Sequence, residues 1–315
     1  MLYPKRCAAS LLTISFCLLL TGCFDESGPV VGQFEITWGQ RGVTPGFFKK
    51  PRAMAIDEDD NLYIVDMTAR IQVFDRDGKF IRQWNTPASE IGRPSGLTMG
   101  RDGNLLVADT HYYQMLVYTP TGDLLENRTI GGVRGNGPGE FGFVTDAIED
   151  SKGNYYIAEY GEFDRVQKFT PDGKYVLEFG GHGNEEGKFV RPQNITIDKN
   201  DHLWVADACN HRIQIFDVSV ETPKLIKVWG EPGRELGKMR YPYDLVLDGK
   251  GHVYVCEFGN HRIQKFTLDG KSLGAWGIPG REPGEIHQPW AIVQDSKGRI
   301  HVLDTYNHRV QRIRL

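Results

Sequence analysis

Ala206-Asp207-Ala208-Cys209-Asn210-His211-Arg212-Ile213-Gln214-Ile215-Phe216 occurs three times in near copy along this chain. The second copy is Glu257-Phe258-Gly259-Asn260-His261-Arg262-Ile263-Gln264-Lys265-Phe266, and the third is Asp304-Thr305-Tyr306-Asn307-His308-Arg309-Val310-Gln311-Arg312-Ile313. Weaker copies lie at 66–74, 109–118 and 159–169. The acidic residues that head the copies stand at 66, 109, 159, 207, 257 and 304, at intervals of 43, 50, 48, 50 and 47 residues. A period of that length marks a repeat architecture, because one unit alone cannot bury its apolar surface and must pack on its neighbours.

Within a repeat the pattern is that of strands. Asn194-Ile195-Thr196-Ile197 alternates and stops at the turn cluster Asp198-Lys199-Asn200-Asp201. Leu203-Trp204-Val205-Ala206, Ile213-Gln214-Ile215-Phe216 and Leu225-Ile226-Lys227-Val228-Trp229 follow, and no window holds a helical period. Asp77-Gly78, Thr121-Gly122, Asp172-Gly173 and Asp269-Gly270 place glycine where a tight hairpin needs positive φ. Four antiparallel strands in about 45 residues fit a propeller blade. Six copies predict an all-β, six-bladed β-propeller in one domain, residues 33–315. The last copy ends at Leu315, after its third strand. The orphan segment Gln33-Phe34-Glu35-Ile36-Thr37-Trp38-Gly39 matches the fourth strands Lys227–Gly230 and Leu273–Gly277. The N-terminal strand is therefore predicted to complete blade 6 and remove two open sheet edges.

The first residues read as an address. Lys5 and Arg6 precede an apolar run of 13 residues, Ala8 to Leu20, too short to span a bilayer but suited to a secretory signal. The run ends in Leu20-Thr21-Gly22-Cys23, which resembles a bacterial lipobox. That resemblance implies cleavage after residue 22, lipidation of Cys23, and a tether over residues 23–32. It places the protein in the cell envelope, lipid-anchored, in the periplasm or at the outer membrane, attached to a membrane and not spanning it. The full chain carries 37 basic and 41 acidic residues, a net charge of −4, and loss of Lys5 and Arg6 with the leader makes it −6. A nucleic-acid surface needs clustered Lys and Arg, so no nucleic-acid partner is expected. Of the five cysteines only Cys209 and Cys256 fall in the propeller; a bridge between them is conceivable, and free thiols are expected.

The Asn-His-Arg-Ile-Gln block, led by Val205-Ala206-Asp207 and by Gly-rich runs ending in proline (Gly180–Pro192, Gly277–Pro289), resembles NHL repeats. The similarity covers residues 33–315. Three blades carry the full Asn-His-Arg; Met67-Thr68-Ala69-Arg70, Thr110-His111-Tyr112-Tyr113-Gln114 and Tyr160–Arg165 depart from it. The acidic column Asp66, Asp109, Glu159, Asp207, Glu257 and Asp304 recurs in every blade, and so do its arginines in most. It is expected to shape the loop between second and third strands, as are His211, His261 and His308.

Function is expected where blades differ. In propellers of this type the loop into each inner strand lies on the face bearing the mouth of the axial channel. The residues entering the inner strands are Arg52, Ser95, Thr145, Gln193, Tyr243 and Trp290, followed by Ala53, Gly96, Asp146, Asn194, Asp244 and Ala291. Tyr112, Tyr160, Phe258 and Tyr306 add aromatics from neighbouring loops. Arg52, Tyr112, Asp146, Tyr160, Asn194, Tyr243, Asp244, Phe258, Trp290 and Tyr306 form the candidate binding set, a rim of aromatics with a few polar groups. The function this supports is a monomeric, non-catalytic binding scaffold for a protein or glycan partner, with no cofactor. The alternative is a metal-dependent lyase or hydrolase on the same face. His111, His182 and His287 map there, and three imidazoles can hold zinc with an open position, which resembles peptidyl-hydroxyglycine lyases. Asp146, Asn194 and Asp244 imitate the metal cage of sugar-lactone hydrolases. No Ser-His-Asp or Gly-rich phosphate signature appears.

Overall fold

The computed structural model describes residues 31–315; the leader, Cys23 and most of the tether lie outside the described residues. Strand β1 (Gln33–Trp38) precedes blade 1, which comprises β2 (Ala53–Ile56), β3 (Leu62–Val65), β4 (Arg70–Phe74) and β5 (Phe80–Asn85). Blade 2 is β6 (Gly96–Met99), β7 (Leu105–Asp109), β8 (Gln114–Tyr118) and the short β9 (Ile130–Gly131). Blade 3 is β10 (Phe143–Glu149), β11 (Tyr155–Tyr160), β12 (Arg165–Phe169) and β13 (Tyr175–Gly180). Blade 4 is β14 (Pro192–Ile197), β15 (His202–Asp207), β16 (Arg212–Asp217) and β17 (Lys224–Trp229). Blade 5 is β18 (Pro242–Leu247), β19 (His252–Glu257), β20 (Arg262–Thr267) and β21 (Ser272–Trp276). Blade 6 is β22 (Ala291–Gln294), β23 (Ile300–Asp304) and β24 (Arg309–Arg314), with β1 as its outer strand.

Each sheet is a four-stranded antiparallel meander, and the inner strands touch in sequence until β22 meets β2 and closes the ring. The sixth sheet is completed as the sequence predicts: β1 runs antiparallel to β24, with Gln33 opposite Arg314 and Trp38 opposite Val310.

The core lies between blades. Second strands read as unbroken apolar runs because alternate residues serve opposite neighbours. Leu203 and Val205 of β15 pack toward blade 3, while Trp204 and Ala206 pack toward blade 5. Leu105 and Val107 of β7 join blade 1, and Leu106 and Ala108 join blade 3. Six such clusters, one per junction, make the ring a cyclic stack in which each blade buries apolar side chains against both neighbours. Where a blade's outer strand ends, Gly180 takes φ +101 and a Cβ there would meet Phe189 at 2.4 Å, so the turn into the next blade requires glycine.

Candidate functional site at the channel mouth

The motif residues that recur in every blade build the frame of this face. Asp207 is fully buried and accepts from the Val190 N–H (2.8 Å), Asn210 Nδ2 (2.8 Å), Arg212 Nε (2.8 Å) and Gln214 Nε2 (3.1 Å). The remaining Arg212 nitrogens donate to the carbonyls of Asn184, Glu185 and Lys188, each at 2.8 Å. Gln214 Oε1 accepts from the Gly187 N–H at 2.8 Å. Acid, arginine and glutamine together thus fold the Gly-rich entry loop down onto its blade. Glu257 with Arg262 and Gln264, and Asp304 with Arg309 and Gln311, repeat the arrangement.

The motif histidines reach the next blade. Nδ1 of His211 accepts from the Tyr241 N–H (3.1 Å), that of His261 from Gln288 (3.1 Å), and that of His308 from Lys50 (2.9 Å). In blade 3 a carboxylate takes the place, with Asp164 Oδ1 accepting from Arg191 N–H at 2.9 Å. All four pinned residues precede a proline and have positive φ: Lys50 48°, Arg191 61°, Tyr241 51° and Gln288 49°. That backbone is costly for residues with a Cβ, and the acceptor from the preceding blade helps hold it. Burial lowers the pKa of His211, His261 and His308, keeping neutral rings whose Nδ1 can accept.

On this frame, aromatic side chains from blades 3, 5 and 6 meet basic ones. Tyr243 stacks on Phe258 (centroids 4.4 Å, 20° between planes), and Trp290 stands edge-on to Tyr243 at 5.1 Å and to Phe258 at 5.8 Å. Tyr306 lies 6.4 Å from Phe258. The Arg52 guanidinium sits 5.6 Å over Trp290, and Lys50 Nζ sits 4.7 Å over Tyr306. Arg191 lies between two rings, 4.9 Å from Tyr160 and 5.4 Å from Tyr243, and its Nε donates to Gln193 Oε1 at 3.0 Å. A cleft of about 160 Å³ opens beside Tyr160, lined by Arg134, Phe143 and Phe163 among others.

The structure brings together Arg52, Tyr160, Tyr243, Phe258, Trp290 and Tyr306 of the expected set. It does not bring in Tyr112, whose hydroxyl donates to Glu90 at 2.9 Å on the exposed outer part of the face. Asp146 and Asp244 are buried in the hub and tie neighbouring inner strands: Asp146 Oδ2 accepts from Asn194 Nδ2 (2.9 Å), and Asp244 Oδ2 from the Ile292 N–H (2.8 Å). Burial pushes the Asp146 carboxyl up to about 7 and raises that of Asp244 well above the ordinary range. Asn194 Oδ1 is buried without a partner.

The three histidines of the metal alternative stand apart. His182 pairs with Asp164 at 2.6 Å, His287 stacks on His261 at 5.5 Å, and His111 lies 5.3 Å from Phe143. Among the described residues no group of three or more His, Cys, Asp or Glu is placed to hold a metal ion. They diverge because they occupy different steps of their loops. Cys209 and Cys256 are free, as expected from the sequence. Residues not anticipated are Lys50, Arg93, Phe143 and Arg191. All but Phe143 precede the entry proline of their blade, a column reading Lys50, Arg93, Arg191, Tyr241 and Gln288, in which three of five are basic.

The NHL repeat model matches residues 189–216, 239–266 and 287–313. NHL repeat-containing protein 3 of mouse is 27% identical over 179 residues, 52% of this chain and 51% of that protein, so the chain matches about half the length of this curated relative. A probable peptidyl-alpha-hydroxyglycine alpha-amidating lyase of Caenorhabditis elegans is 25% identical over 164 residues, 46% of this chain and 47% of that protein. Among solved structures, a gluconolactonase from Xanthomonas campestris has a TM-score of 0.62 at 12% identity, covering 85% of this chain and 86% of that one, a likeness of fold. NHL repeats thus occupy residues 189–216, 239–266 and 287–313, in three of the six blades, and the chain folds as a six-bladed β-propeller.

Proposed function

We propose that this chain is an exported, membrane-anchored propeller that binds a protein or glycan partner through its channel mouth without chemistry of its own. The supporting observation is the composition of that mouth. Trp290, Tyr243, Phe258 and Tyr306 offer aromatic surface next to Arg52 and Arg191, while every recurring carboxylate of the face is buried. Recognition surfaces are rich in aromatics and arginine. Metal-assisted lysis or hydrolysis, suggested by the names of the relatives, would need converging ligands, and His111, His182 and His287 are held apart. The lipobox-like residues Leu20–Cys23 support export and anchoring.

Two experiments test these roles separately. Trp290→Ala with Tyr306→Ala should lose whatever the native protein retains from solubilised envelope, with the thermal midpoint falling only a few degrees; an unchanged set of captured material places the binding surface elsewhere. Cys23→Ala should move the protein from the membrane to the soluble fraction, and continued membrane retention rules out the lipid anchor.

A further inference from the structure

Arginines of the frame are spent on carboxylates: Arg165, Arg212, Arg262 and Arg309 each pair with the acid of their own blade at 2.6–2.8 Å. Arg52 and Arg191 are not, since neither side chain forms an ion pair among the described residues. Arg93 donates to the carbonyls of Met67 (2.8 Å) and Gly92 (2.6 Å), so its charge too is not neutralised by a bonded carboxylate. Arg93 and Arg191 each lie within electrostatic reach of Arg52. Burial lowers the pKa of Arg52, Tyr160 raises it, and Arg93, then Arg191, add to the lowering. Like charges gathered at a partly desolvated mouth repel, in a chain whose net charge is negative. Their electrostatic cost is relieved by an anion. Two of them also lie over rings, Arg52 over Trp290 and Arg191 between Tyr160 and Tyr243.

We infer that the channel mouth is a subsite for an oxyanion carried on a ring, a carboxylate or phosphate attached to a flat group, with the anion on Arg52 and Arg191 and the ring against Trp290 and Tyr243. This rests on the proposal that the channel mouth is the binding face, and it names the ligand's chemistry. Guanidinium forks match carboxylate and phosphate oxygens, and the flat group continues the existing stack. The ring is either aromatic, as in an aryl phosphate, or a sugar offering its C–H face, as in a uronic acid, and the titration below distinguishes the two.

Calorimetric titration of the full chain with phenyl phosphate, glucuronate, phenol, glucose and inorganic phosphate tests this. At least one ring anion should bind about tenfold more tightly than both its neutral counterpart and inorganic phosphate, about 1.4 kcal/mol. Its affinity should weaken with added salt, and which anion prevails identifies the ring type. Arg52→Gln and Arg191→Gln should each weaken it about tenfold. Equal affinity for ring anion and neutral counterpart, no binding by either anion, or arginine variants that bind like the native protein overturns the inference. Where one of those results is found and envelope capture still depends on Trp290 and Tyr306, only the ligand class falls and the binding face stands.

Discussion

Asp109 is the odd member of the acidic column. Its strand neighbour in the arginine position is Gln114, its one side-chain partner at 3.2 Å, and Oδ1 is buried without a partner. Burial pushes its carboxyl up to about 6, with the Gln114 hydrogen bond opposing. A raised acid pKa means the native state binds the proton more tightly, so the stability it contributes is complete below about pH 4 and lost as pH rises through about 6. Asp109→Asn should therefore raise stability at pH 8 by about 1–3 kcal/mol and change it little at pH 4.5, read from urea unfolding at both values. Where the arginine is present, it pairs with the buried acid. Arg309→Met strands the buried Asp304, bonded at 2.7 Å, and should cost about 3–5 kcal/mol in the same measurement. The roles of these acids were legible because one residue recurring in every blade serves what every blade does. Arg191 was not, because only a left-handed backbone pinned from the preceding blade sets it between Tyr160 and Tyr243.

At the scale of elements, β1 closes the ring through more than its ladder. Glu35 accepts from Arg312 at 2.9 Å and Arg314 at 2.5 Å, and Arg312 continues to Asp77 of blade 1 at 2.6 Å. Burial disfavours the charged Glu35, but the hydrogen bonds and charges of Arg314 and Arg312 outweigh it and hold its carboxyl below the usual value. Trp38, 4.6 Å from Phe74, carries the strand into the junction between blades 6 and 1. Glu35→Gln should lower stability by about 1–3 kcal/mol at neutral pH and by less at pH 3, where the native carboxylate is itself being lost. Removing residues 1–38 bares the edge of β24 and should yield aggregating protein by light scattering; a soluble monomer would show that closure is dispensable. This closure was readable because Gln33–Gly39 carries the pattern of a fourth strand with no blade of its own. The convergence of loops was not, since His111, His182 and His287 share a face by topology yet occupy different steps of their loops.

Over the whole molecule, titrating groups pull in two directions. Burial raises the carboxyls of Asp109, Asp146, Glu159, Asp207, Asp244 and Glu257, against the hydrogen bonds each accepts. Each contributes stability that is lost as pH rises through its native value, about 6 for Asp109 and about 7 for Asp146. Burial lowers His111, His211, His261 and His308, whose contributions hold above about pH 6.5 and fade as pH falls through their native values. The acids lie in the hub and blade frame, so no single junction gives way; the ring loosens as a unit because each junction needs both neighbours. With more groups in the first class, and Asp146 and Asp244 buried together in the hub, the balance favours mild acidity. The thermal midpoint should be higher at pH 5.5 than at pH 8 by on the order of 5 °C in one cooperative transition. A midpoint that stays level or rises across that interval would mean the hub carboxylates reach water or a cation when ionised, and that Asp146 and Asp244 are not protonated in the closed ring.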